Sequence, residues 1–311
     1  MKANKLRPLV LAVAATWGVS AQAGITWYSP ITTFEDDDID WFLDRAAPEG
    51  DNDIGVLNTT PSRTGTLDVG DVTVAVFEIT RSFGEGGEAD VTGGELTGIV
   101  ASQVVAKSDE PDLLGNYDYL FGPVTEGLNS ILSLAGIAGV TGGAAGEGAI
   151  AAMYFGDEGT DLELVDFNCT SMTNCMEYAA DNGSLWQVDG FSEEAEGDQF
   201  WFATGGDSID IIAASELLNL ASITFGGDVI VNGTGKELGL INCTPICGDT
   251  GFLPVVGGGS IHGGADVASI GAYARSDFDF KKAPIPEPGT LALLAAGLLG
   301  VGLRRRKQST R

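Results

Sequence analysis

The stretch Asp71–Thr80, DVTVAVFEIT, limits what this chain can become. Val72, Val74 and Val76 recur with a period of two, which lines up one face of a strand and scatters round a helix. Similar bursts fill residues 24–283: LTGIVASQVVA (96–106), GAIAAMYF opening 148–167, SLWQVDGF (184–191), DQFWFAT (198–204), ASITFGGDVIVNG (221–233) and ARSDFDFK (274–281). Gly, Asp and Asn separate them, and the chain holds 45 Gly against 11 Pro. Short strands joined by tight turns are the expectation. Residues 148–167 read as two strands around Gly-Asp-Glu-Gly, and 221–233 as two strands broken at Gly226-Gly227. Gly86-Gly87, Gly205-Gly206 and Gly263-Gly264 recur at irregular intervals, so they too read as turns rather than as a repeat.

Helix is expected in one to three short pieces: TSMTNCMEYAA (170–180), SELLNLAS (215–222) and the glycine-interrupted GLNSILSLAGIAG (127–139), which is left undecided. The expected fold is mainly β, an antiparallel β-sandwich-like ectodomain spanning 24–283.

Charge separates that body from its ends. Of 16 Lys and Arg, eight lie in 24–283, together with 43 of the 44 acidic residues, a formal charge of −35. Such a surface repels nucleic acid and anionic lipid. The remaining basic residues flank two apolar stretches. At the start, Lys2, Lys5 and Arg7 precede an apolar run from Leu9 to Val19 and then Ala21-Gln22-Ala23. This is the pattern of a secretory signal peptide (1–23), with the A-x-A residues Ala21 and Ala23 placing cleavage before Gly24. The Sec translocase and signal peptidase are the partners it calls for. In an exported chain four cysteines favour disulfides over zinc. Local pairing, Cys169 with Cys175 and Cys243 with Cys247, is the expectation among three connectivities.

The last segment, 284–311, begins with Pro286-Glu287-Pro288, which cannot be helical across its prolines. An uncharged run from Thr290 to Leu303 follows, with Leu291, Leu293, Leu294, Leu298 and Leu299 along it. As a helix it rises about 21 Å, short of the roughly 30 Å of a bilayer core. Arg304, Arg305, Arg306 and Lys307 stop it and stay cytoplasmic by the positive-inside rule. The order of tripeptide, short apolar helix and basic cluster resembles the PEP-CTERM sorting signal of exported proteins in Gram-negative bacteria that make exopolysaccharide. The resemblance covers about residues 284–307. It implies transient inner-membrane anchoring, recognition near Pro-Glu-Pro by an exosortase, and delivery to the cell surface or extracellular matrix.

Residues that could carry chemistry in the body are few. His262 is the sole histidine, with Ser260 and Asp266 nearby in a glycine-rich stretch; it reads as a loop residue, and no catalytic role is expected. Glu35 to Asp38, with Asp40, reads as a solvated acidic loop. Calcium is the rival reading there, with Asp36, Asp38, Asp40, Asp51 and Asp53 as ligands, although Trp41 stands where an EF-hand loop needs glycine. No cofactor is expected beyond such a structural calcium. The functional expectation is an exported, non-catalytic surface or matrix protein associated with exopolysaccharide and biofilm. The alternatives are a carbohydrate-binding matrix module using Trp27, Tyr28, Trp41, Trp186 or Trp201, and, behind it, a secreted hydrolase.

Overall fold

The computed structural model describes residues 24–46, 55–140, 148–157, 161–164, 168–181, 183–192, 199–217, 219–244, 246–247 and 251–285. In chain order the elements are β1 (Thr32–Leu43), β2 (Val72–Gly84), β3 (Gly87–Asp90), β4 (Glu95–Lys107), β5 (Tyr117–Pro123), α1 (Leu128–Ser133), β6 (Ala149–Gly156), α2 (Met172–Asp181), β7 (Ser184–Gly190), β8 (Phe200–Gly205), α3 (Ile209–Ala214), β9 (Ala221–Asn232), β10 (Leu238–Gly239), β11 (Ile241–Asn242), β12 (Phe252–Leu253), β13 (Val255–Gly263) and β14 (Ala274–Pro284). The chain is mainly β and its ladders are antiparallel, as the alternation predicts.

The pairings close on themselves. β1 pairs with β2, β2 with β4, β4 with β6, β6 with β7, β7 with β9, β9 with β13, β13 with β14, and β14 with β1. β4 is shared along its length: residues 95–100 meet β6 and residues 102–107 meet β5. β9 is shared likewise, between β8 and β7, and β5 pairs with β8. Each level of the structure is thus a ring of strands, and closure removes the exposed edges that an open sheet of this length would offer for aggregation.

The period of two sorts β1 and β2 into an outer and an inner face. Outward go Ile39, Trp41 and Leu43 from β1 and Val72, Val74 and Val76 from β2, all buried under α1 and α2. Helix α2 covers them because Met172, Cys175, Met176 and Ala179 share one of its faces, and the Thr97 hydroxyl of β4 donates to Ala179 O at 2.7 Å. Inward go Phe34, Phe77, Leu96, Trp186 and Phe280 at one end and Phe42, Val104, Tyr119, Phe121 and Phe278 at the other. α3 belongs to this second cluster through Ile209 and Ile212, and Ser208 caps it by accepting from Ile211 N.

Several expectations are corrected. Gly226-Gly227 does not turn; it lies within the continuous β9, where a Cβ on Gly226 would meet the Phe200 ring and Leu253. On β4, a Cβ on Gly98 would overlap the Phe77 ring. These glycines make room for aromatic rings, Phe77 inside the ring of strands and Phe200 on its outer face, a packing role that turn chemistry does not reveal. Residues 161–164 form no strand; Leu162 and Leu164 anchor a loop in the outer core. The helix expected at 215–222 is absent from its described residues and forms at α3 instead, after the Ser208 cap. His262 lies on a strand, β13, rather than in a loop.

The largest correction concerns the acidic run, which is strand β1 and not a solvated loop. Asp36, Asp38 and Asp40 are 6%, 2% and 5% exposed. Burying Ile39, Trp41 and Leu43 on the opposite face is worth roughly 1.5–3 kcal/mol per side chain. The same strand must then turn its even-numbered residues inward, and a buried carboxyl escapes most of the charge penalty by keeping its proton.

Candidate functional site

The middle of the ring is where polar chemistry collects. Asp36, Asp38 and Asp40 stand at alternate positions of β1, facing β14. Asp36 Oδ1 accepts from Phe278 N at 2.8 Å, and the Ser276 hydroxyl donates to Asp40 Oδ2 at 2.6 Å. Asp38 Oδ1 is buried without a hydrogen-bond partner. Burial pushes all three carboxyls up: Asp36 and Asp38 well above the usual carboxylate range, Asp40 to about 7. Neighbouring carboxylates add to the rise at Asp36 and Asp38, and the Ser276 hydrogen bond opposes it at Asp40.

Asp38 and Asp40 border a cavity of about 50 Å³, walled by Tyr119, Phe121, Trp201 and Ile223 and by the Thr73 and Ser102 hydroxyls, which bond each other at 2.9 Å. The Tyr119 hydroxyl is also buried without a partner. The volume suits a few water molecules. The three aspartates alternate along a strand and do not converge, and no group of three acidic, His or Cys side chains among the described residues could hold a metal ion. Asp51 and Asp53 lie outside the described residues.

The five aromatic candidates for sugar stacking are not exposed. Trp41 is fully buried, its indole N–H donating to Ile270 O at 3.2 Å. Trp27 stacks on the buried Trp186 at 5.8 Å, Trp201 stacks on Phe225 at 5.0 Å inside the ring, and Tyr28 is half-buried. The Ser260 hydroxyl meets His262 Nε2 at 3.0 Å on β13, but the Asp266 carboxylate is bound by Arg275 Nε at 2.7 Å. The third member of a Ser-His-Asp relay is therefore engaged elsewhere. Both local disulfides are formed, Cys169–Cys175 leading into α2 and Cys243–Cys247 between β11 and β12.

Sequence reasoning missed one ion pair in the interior. Lys282 of β14 is fully buried and donates through Nζ to Asp189 Oδ2 of β7. The signal was present: Ser276, Phe278, Phe280 and Lys282 continue one inward series. A lysine near the end of the body reads, in a sequence, as surface.

Strand β14 ends at Pro284, where the sorting segment starts. The predicted cleavage residues Ala21 and Ala23, the step Pro286-Glu287-Pro288, the apolar run from Thr290 to Leu303 and the basic stop from Arg304 to Lys307 lie outside the described residues. Among the described residues no helix is long and apolar enough to cross a membrane. Comparison with curated proteins and with solved structures yields no match. The family model of the PEP-CTERM protein-sorting motif matches residues 284–307. That motif implies processing by an exosortase, export, and membrane-associated sorting to the cell surface. The chain is thus a bearer of the PEP-CTERM sorting signal, carried at its C-terminus directly behind the last strand of a closed antiparallel body.

Proposed function

We propose that this chain is an exported, non-catalytic surface or matrix protein that works with exopolysaccharide in a biofilm. The observation that carries the reading is the junction at Pro284: the last strand ends where the sorting motif begins. A cut near Pro286-Glu287-Pro288 would remove no strand, so the ring leaves the membrane whole. Entry through the Sec translocase and cleavage after Ala23 by signal peptidase belong to the same reading. Gly24, the first residue of the mature chain, bridges Thr92 and so starts inside the fold. The net charge of the body fits a hydrated, self-repelling matrix component.

The test is deletion of the gene in the host, scored for biofilm mass, floc formation and the polysaccharide retained with the cells. Loss of retained matrix, restored by the intact gene, is expected. Unchanged matrix in a strain that exports the protein normally would refute the matrix role and leave the sorting route standing.

A further inference from the structure

Lys282 and Asp189 pair across the interior of the ring. Nothing polar in the sequence distance between them explains their meeting; they are 93 residues apart, on β14 and β7. The lysine has no exposed surface, and its ammonium lies 5.2 Å from the centre of the Phe280 ring and 6.0 Å from that of Trp186. Asp189 Oδ2 receives the Nζ hydrogen bond, while Asp189 Oδ1 is buried with no hydrogen bond at all. The Gln187 carboxamide lies close enough to act on Asp189 but makes no hydrogen bond of normal geometry. Beside Asp189 is a cavity of about 30 Å³ walled by Trp201, Phe225 and Val255.

We propose that Lys282 and Asp189 condense into an intramolecular amide, an isopeptide bond that staples β14 to β7 through the interior of the ring. Dry surroundings favour the neutral amine and the neutral acid over the ion pair, and burial lowers the lysine and raises the aspartic acid. The step starts with a proton passing from Nζ to Oδ2 along the existing hydrogen bond, which leaves an uncharged amine beside an uncharged acid. The Nζ lone pair then attacks Asp189 Cγ. Negative charge gathers on Oδ1, the oxygen that lacks a donor, with the Gln187 carboxamide at hand to stabilise it. The Cγ–Oδ2 bond breaks, the hydroxyl takes a second proton from Nζ, and one water leaves. Oδ1 remains as the amide carbonyl. No oxidant or co-reactant is consumed, and the neighbouring cavity is large enough to receive the water. The staple would lock the strand that precedes the sorting signal to the far wall.

Mass spectrometry of the purified full-length chain, reduced and unfolded, tests this. The expected mass is lighter than the sequence by one water, and digestion yields a branched peptide joining Lys282 to Asp189. Asp189→Ala restores the full mass. Should that variant fail to fold, Asp189→Asn keeps the shape and is expected to lose one ammonia in place of water. A wild-type mass equal to the uncondensed sequence, with the two peptides recovered separately, overturns the proposal.

Discussion

Replacing Asp40 with asparagine should remove one share of the stability that this protein loses as pH rises from 4 to 8. Asp40 is buried at 5% exposure, and its acid is lifted from 3.8 to about 7, first by burial. The folded state therefore holds a proton that the unfolded chain releases. Below pH 3.8 both states are protonated and the residue has no effect. Between 3.8 and about 7 stability falls as pH rises, and above 7 the full penalty is present. About three pKa units at roughly 1.4 kcal/mol each amounts to about 4 kcal/mol. That is a large share of the roughly 5–15 kcal/mol that separates folded from unfolded states. Asparagine keeps an oxygen for the Ser276 hydroxyl and cannot ionise. The assay is thermal unfolding from pH 4 to pH 8. Wild type and Asp40→Asn should agree near pH 4 and diverge by on the order of 10 °C at pH 8, the variant being the more stable. Glu78, raised to about 7 by burial, and Asp36 and Asp38, also raised by burial, keep the rest of the slope in both proteins. Equal losses between pH 5 and 8 in the two proteins would refute the reasoning, because Asp40 would then be neither desolvated nor protonated in the fold.

Glu287→Ala should leave the chain full length and cell-associated, read by immunoblot of cell and medium fractions; normal release would mean that the Pro-Glu-Pro step is not what the processing enzyme reads. Removing the Cys169–Cys175 bond by a double alanine substitution should lower stability by about 2 kcal/mol, the loop-closure value for so short a loop, measured by denaturant unfolding. A larger loss would point to the packing of Cys175, which is fully buried against the outer core. Gly98→Ala should destabilise by roughly 1–3 kcal/mol through overlap with the Phe77 ring, and pairing it with Phe77→Leu should recover part of that loss.

β2 and β4 are legible because apolar residues alternate along one face of each and turn residues bound them, so local pattern and tertiary position agree. The helix at 215–222 failed because apolar residues there suit either structure, and the deciding element was the Ser208 cap upstream. Gly226-Gly227 failed because the same dipeptide serves a turn and a strand that must pass a bulky ring. Whether a tryptophan faces solvent, where it could stack on sugar, or another ring is settled by residues far away in the chain, such as Phe225 for Trp201.

Local chemistry was enough for the address and the architecture class. A sorting signal is read as a linear string, so Pro286-Glu287-Pro288 and the residues behind it carry their meaning in order and composition. Antiparallel β structure follows from a period of two and from turn residues, both short-range. Tertiary structure alone decided what the acids do. Asp36, Asp38 and Asp40 look like a solvated run because charge is scored residue by residue. Their burial comes from the opposite face of β1, where Ile39, Trp41 and Leu43 must lie in the outer core, and from a closed ring that leaves the inward face no other place to go. The meeting of Lys282 with Asp189 has the same origin: strands distant in the chain are brought to one interior, and no local pattern specifies which side chains meet there.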